Sequence, residues 1–320
     1  MKNFFLIIFS ILFTFTTIEL YLYIEDYHPE YKRYNFLIND TLNIVNDDPN
    51  DFFKDKKQNK TVFLGDSFTV NQVCAHNKKD FVNIIKSKFT DKKNSYYNFG
   101  SLADSPPEYI NIAEHISKNV QNIIVVLYYN DIFLGKKSCN SILKNPQINI
   151  NSFKGCTLIL NENIDKSEDT IPKKIDNFFE NKIKTWKLLK TATINIPQLS
   201  KLYSRTSWRN LYRDNKSEEN IIFISLLKQL KNIAKENDIN LKITYFPDIN
   251  NITRENEYAK DWRFFIKNAE KNNIKIYDPW DYFLKNSDGK NMVWSLTDDH
   301  PNCKANKIMA DYLINYVLFN

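Results

Sequence analysis

Thr61-Val62-Phe63-Leu64-Gly65-Asp66-Ser67-Phe68-Thr69-Val70 is a short apolar run that breaks on Gly65-Asp66-Ser67. An apolar run of this length bounded by turn residues reads as a buried strand. Open α/β sheets commonly present a nucleophile at the carboxyl end of such a strand, so Ser67 is the first candidate for chemistry. Glycine sharpens the point. The chain has five in 320 residues, against roughly 7% in an average protein, so each one retained marks a backbone position that a Cβ would disturb. Gly65 precedes the serine, and Gly100 closes a second apolar run, Tyr96-Tyr97-Asn98-Phe99.

From this strand outward the chain alternates. Strand-like 61–65 is followed by a helix at about 78–89, a strand at 95–99, a helix at about 106–117 and a strand at 122–128. This is the βαβ rhythm of a parallel sheet. Ile123-Ile124-Val125-Val126-Leu127 has no polar alternation, as a central strand covered on both faces requires. The rhythm stops between about 132 and 216, which reads as an insertion. It resumes with an amphipathic helix at 218–236, a strand at 241–247, a helix at 256–271, a strand at 274–277 and a closing helix at 304–318. The expected architecture is α/β, five parallel strands with helices on both faces, and no internal repeat.

With 42% hydrophobic and 14% aromatic residues the chain can bury a sizeable core. Its 44 basic and 38 acidic residues leave a net charge of only +6, a mixed surface. The densest basic stretch, Lys182 to Lys216, has Trp186, Tyr203, Trp208 and Tyr212 interleaved. It reads first as a solvated helical face with buried aromatics, then as a surface for anionic lipid or polysaccharide. Nucleic acid, which calls for a basic face concentrated on one element, comes well behind.

The amino terminus bears on location. Phe4 to Ile24 carries no charge apart from Glu19, and at ~1.5 Å per residue it spans about 30 Å of hydrocarbon. A cleaved signal peptide would want a small-residue site, yet the first alanine of the chain is Ala75. An uncleaved single-pass anchor over 1–24 is expected. Lys2 precedes the span and Glu25-Asp26 follow it, which puts the amino end in the cytoplasm and the body outside. Residues 25–58 are polar and read as a juxtamembrane linker with room for one short helix, and the folded body, 59–320, is expected from there.

An extracytoplasmic body permits disulfides among Cys74, Cys139, Cys156 and Cys303. Cys139 and Cys156 flank a loop-like stretch that a bridge could close. Cys74 and Cys303 each follow a candidate catalytic residue by a few positions. Four cysteines allow three pairings, free thiols are an equal alternative, and their spacing is not that of a zinc site.

A serine nucleophile needs a base. Of the four histidines, only His300 directly follows a pair of carboxylates, in Ser295-Leu296-Thr297-Asp298-Asp299-His300-Pro301-Asn302. An acid two residues before a histidine on a turn can accept from Nδ1 and leave Nε2 to take the serine proton. By itself an Asp-Asp-His cluster is more often a turn, a cap or a metal site. Joined to a serine at a strand end, the catalytic reading leads. The oxyanion donors expected are the backbone N–H groups of Ser67 and Gly100 and the side-chain amide of Asn130. They converge only if 95–99 and 122–128 flank 61–65 in the sheet.

Gly65-Asp66-Ser67-Phe68, Asn98-Phe99-Gly100, Asn130-Asp131 and Asp298-Asp299-His300-Pro301-Asn302 resemble the four sequence blocks of the SGNH (GDSL-type) hydrolase superfamily, in that order. The resemblance covers about 60–131 and 218–320 and includes the layout of membrane-anchored bacterial members. It implies a flavodoxin-like three-layer α/β/α sandwich. Ser67 would be nucleophile, His300 base, Asp298 its orienter, and Ser67, Gly100 and Asn130 oxyanion donors, with no cofactor or metal. The chain departs from the pattern twice. Tyr128 stands where the third block usually has glycine, and the acid lies two rather than three residues before the histidine, where Thr297 stands. The activity implied is serine-dependent hydrolysis of carboxylic O-acyl esters, with an acylated glycan or a lipid as substrate. The alternatives are O-acetyl transfer to a cell-envelope glycan, with a membrane acyltransferase as partner, and a non-catalytic anchored scaffold that binds glycan or protein.

Overall fold

The computed structural model describes residues 47–132 and 218–319, apart from 72–73, 76, 91–92, 102–104, 250–251, 253–256, 288–291 and 295–299, together with a few positions between 10 and 17. Most of the expected anchor and of the linker, the insertion, Cys139, Cys156 and Asp298 lie outside the described residues. Among those described, no helix is long and apolar enough to cross a membrane.

In chain order the elements are α1 (Pro49–Lys54), β1 (Asn59–Gly65), α2 (Ser67–Val70), α3 (Phe81–Lys88), β2 (Asn94–Asn98), α4 (Pro106–Ile116), β3 (Asn122–Leu127), α5 (Glu218–Glu236), β4 (Asn240–Tyr245), α6 (Glu257–Lys271), β5 (Ile276–Tyr277), α7 (Trp280–Asn286) and α8 (Cys303–Tyr312). A π-helical turn, Leu313–Leu318, closes the described chain. All five strands are parallel, in the order β2-β1-β3-β4-β5. This is the flavodoxin-like doubly wound order, whose switch point falls between β1 and β3.

Side chains alternate across the sheet as strand geometry demands. Val62, Leu64, Ile123, Val125 and Leu127 enter one core layer with α4, α5 and α6. Phe63, Ile124 and Val126 enter the other with α3, α7 and α8. Every one of these strand residues is buried, which accounts for the unbroken apolar runs read in the sequence.

The packed body begins upstream of residue 59. Phe52 of α1 is fully buried, edge-on to Tyr97 and Phe99 at 5.1 and 5.5 Å. Lys60 holds it from the other side, donating through Nζ to the Phe52 carbonyl at 2.7 Å. Asp47 accepts from the Asn98 N–H at 2.6 Å and pairs with Lys86. The last strand is shorter than the pattern suggested, because only Ile276 and Tyr277 pair with β4. Ile274, apolar and buried, lies outside the ladder.

Candidate active site

Ser67 opens α2 directly after β1. Asp66 caps this helix, accepting from the Phe68 N–H at 2.9 Å. As the first helical residue, Ser67 has an N–H with no acceptor inside the helix. The turn is tight because two positions lack a Cβ. A Cβ on Gly65 would come within 2.0 Å of Thr69 Oγ1 and 2.6 Å of the Val126 carbonyl oxygen. One on Gly100 would come within 2.8 Å of Thr69 Cγ2 and 2.9 Å of the Val70 nitrogen. Thr69, wholly buried, thus fills the space that both glycines leave. Asn71 ends the helix in the left-handed region, φ 38°, and its N–H donates to the Ser67 carbonyl.

His300 is brought to Ser67 from 233 residues downstream, with Nε2 2.8 Å from Oγ. Its backbone is pinned from several sides. The Trp294 N–H donates to the His300 carbonyl at 2.8 Å, and Val293 and Pro301 form an antiparallel bridge. Asn71 Nδ2 donates to the Pro301 carbonyl at 2.8 Å. A disulfide joins Cys74 to Cys303, the first residue of α8. This is one of the pairings the sequence left open. Asn302 caps α8, accepting from the N–H groups of Lys304 and Ala305. A neutral imidazole whose Nε2 faces a hydroxyl at this distance can accept its proton. Asp298 lies outside the described residues, so its relation to His300 is not part of this geometry.

The strand order sets β2 and β3 on either side of β1, as convergence of the oxyanion donors requires. Asn130 lies on the turn after β3, and its Oδ1 is buried with no hydrogen-bond partner among the described residues. The Gly100 N–H donates to Asn98 Oδ1 at 3.0 Å, closing an Asx turn, so this expected oxyanion donor is already bonded in this structure. Asn98 Nδ2 in turn donates to the Thr69 carbonyl at 2.9 Å, so the second block braces the nucleophile's helix.

Below this surface lies Asp131, fully buried. It accepts from the Tyr128 N–H at 2.8 Å and is bonded to the Tyr109 hydroxyl at 3.0 Å. Burial pushes its carboxyl well above the usual carboxylate range, and the nearby charge of Asp66 adds to the rise. No cluster of three or more His, Cys, Asp or Glu able to hold a metal occurs among the described residues. The sequence reading did not single out Asn71 or Asn98. The second was open to it, because an Asn two residues before a glycine is an Asx-turn signal.

No family model matches the chain, and no curated protein does. Among solved structures it is similar to an acetyl xylan esterase, at 13% identity and TM-score 0.42, with 81% of this chain and 100% of that one covered. It is similar to a member of the lipolytic protein G-D-S-L family from Veillonella parvula, at 12% and 0.44, covering 82% and 99%. A GDSL-like lipase from Bacteroides thetaiotaomicron is similar at 10% and 0.39, covering 90% and 97%. With identities this low, the functional reading rests on the geometry of Ser67 and His300.

Proposed function

We propose that this chain is a serine-dependent esterase of the SGNH (GDSL) kind, acting on carboxylic O-acyl esters through an acyl-Ser67 intermediate. The observation that carries the reading is the 2.8 Å approach of His300 Nε2 to Ser67 Oγ, at the carboxyl end of β1 and beside the sheet's switch point. Ser67 Oγ attacks the acyl carbon as His300 takes its proton. The oxygen charge that develops meets the Ser67 N–H and the Asn130 amide. The intermediate collapses, His300 returns the proton to the leaving alcohol, and water activated by His300 releases the acid and restores Ser67. Asp298 is assigned the role of orienting His300.

The substrate class proposed is an O-acylated glycan or a lipid ester, met outside the cytoplasmic membrane by a body anchored through residues 4–24. The Cys74–Cys303 disulfide supports an oxidising compartment.

The direct test uses the full chain in detergent. A fluorophosphonate should label Ser67, short p-nitrophenyl esters should be hydrolysed, and both should vanish in Ser67→Ala. A Ser67→Ala protein that is still labelled and active would sink the assignment.

A further inference from the structure

The backbone around His300 is held by the Trp294 N–H, the Asn71 amide and the bridge to Val293. These contacts act on the backbone, and catalysis also needs the ring held so that Nε2 stays on Ser67 Oγ. An aromatic neighbour contributes to that. The Phe68 ring, next to the nucleophile, stacks on the imidazole with centroids 4.9 Å apart and planes 26° apart. Phe68 in turn stacks on Tyr128, with centroids 3.4 Å apart and planes 22° apart. Both Phe68 and Tyr128 are 2% exposed.

The outer ring of this column rests on a fixed support. Tyr128 follows β3 directly, and its N–H is bonded to Asp131 Oδ2. That bond belongs to the backbone, so changing the side chain leaves it in place. Phe68 is anchored at one end by the Asp66 cap. Its ring lies between a buried tyrosine and the base, and a flat face presented to a flat face allows few imidazole orientations.

We infer that Tyr128 is a positioning residue for the base, acting through Phe68 to hold the His300 ring in the plane that keeps Nε2 on Ser67 Oγ. The inference rests on the esterase reading for its kinetic consequence, though not for its geometric one. Tyr128 stands one ring removed from the base, with Phe68 between. Its ring sets the tilt of Phe68, and Phe68 sets the tilt of the imidazole. The tyrosine that departs from the resemblance in the third block is, on this inference, what completes the column.

The test compares Tyr128→Leu, which keeps apolar bulk without a flat face, with Tyr128→Phe, which keeps the ring. Two readouts are taken on the full chain. The first is kcat and KM for a short p-nitrophenyl ester, normalised to the sites a fluorophosphonate labels. The second is the His300 ring-proton resonances, assigned by difference against His300→Ala.

Tyr128→Leu should lower normalised kcat roughly tenfold or more, since small misplacements of a reacting group carry penalties of that order. KM should change little, and the His300 resonances should move toward those of free imidazole. Tyr128→Phe should restore both. A Leu variant that keeps its kcat per labelled site overturns the inference, and so does one whose His300 resonances stay where they were. If the wild type is neither labelled nor active, the esterase reading fails, and the resonances alone still decide the role of Tyr128.

Discussion

Asn71 Nδ2 donates to the carbonyl oxygen of Pro301 at 2.8 Å, joining the end of the nucleophile's helix to the residue after the base. The same Asn71 sits at φ 38°, a conformation asparagine tolerates better than alanine. Asn71→Gly should therefore lose the side chain's buried hydrogen bonds, the one to Pro301 and the longer one from the Cys74 N–H at 3.4 Å, about 1–3 kcal/mol in all. Asn71→Ala should lose about 1 kcal/mol more for the left-handed backbone. Urea denaturation of the two variants separates the terms, and ester turnover should fall in both because the bond ties the base's segment to the serine's.

Thr69 occupies the space over two glycines, and the two are not equivalent. Gly65→Ala would drive a methyl into the Val126 carbonyl, part of a strand that cannot yield. Gly100→Ala meets chiefly Thr69 and the Val70 nitrogen, on a short helix with more room to shift. Overpacking costs about 1–3 kcal/mol. Gly65→Ala should lie at or beyond the top of that range and Gly100→Ala within it, as read from unfolding midpoints. The reverse order would show that α2 is the more rigid partner.

Asp131 makes stability depend on pH. Its carboxyl is raised in the folded state, first by burial and then by Asp66, so folding favours the protonated form. The stabilisation it contributes is complete below its unfolded pKa and is lost as pH rises through its folded value. Asp131→Asn keeps an oxygen to accept from the Tyr128 N–H and an amide to meet the Tyr109 hydroxyl. Its stability relative to wild type should rise with pH across that window and level off in acid. Thermal unfolding from mildly acidic to alkaline buffer measures this, and a gap that is flat with pH would contradict the raised carboxyl.

Phe52 makes a claim about where the body starts. A chain beginning at residue 59 lacks the ring that seals Tyr97 and Phe99 and the carbonyl that Lys60 bonds. A chain beginning at residue 47 retains both. The shorter chain should be less stable by about 3–5 kcal/mol, the usual cost of removing a buried phenylalanine. Equal urea midpoints would show that α1 contributes nothing to the fold.

The strands were readable because β1 and β3 are buried on both faces, and burial of that kind leaves an unbroken apolar run. Ser67 and His300 were readable as a pair, because a serine at a strand end and a histidine after two carboxylates are each common alone and informative together. Phe52 was not, since a helix of six residues between charged neighbours is too short to show a period. The Asx turn at Asn98 was open to the sequence, but whether the Gly100 N–H goes to it or to a ligand was not, because pattern alone does not rank the two. The stack of Tyr128 on Phe68 joins neighbouring strand ends, and only the sheet order brings it about.

The Cys74–Cys303 bridge closes a ring of chain that contains every described strand except β1. Ser67 lies just before that ring and His300 just inside it, each a few residues ahead of one of the two cysteines. A protease that cut anywhere between the two cysteines, including within 133–217, would leave the nucleophile's fragment and the base's fragment still covalently joined. Such a nicked protein would run as one band without reductant and as two with it. After a cut between Cys74 and His300, only a thiol could part the serine from its histidine.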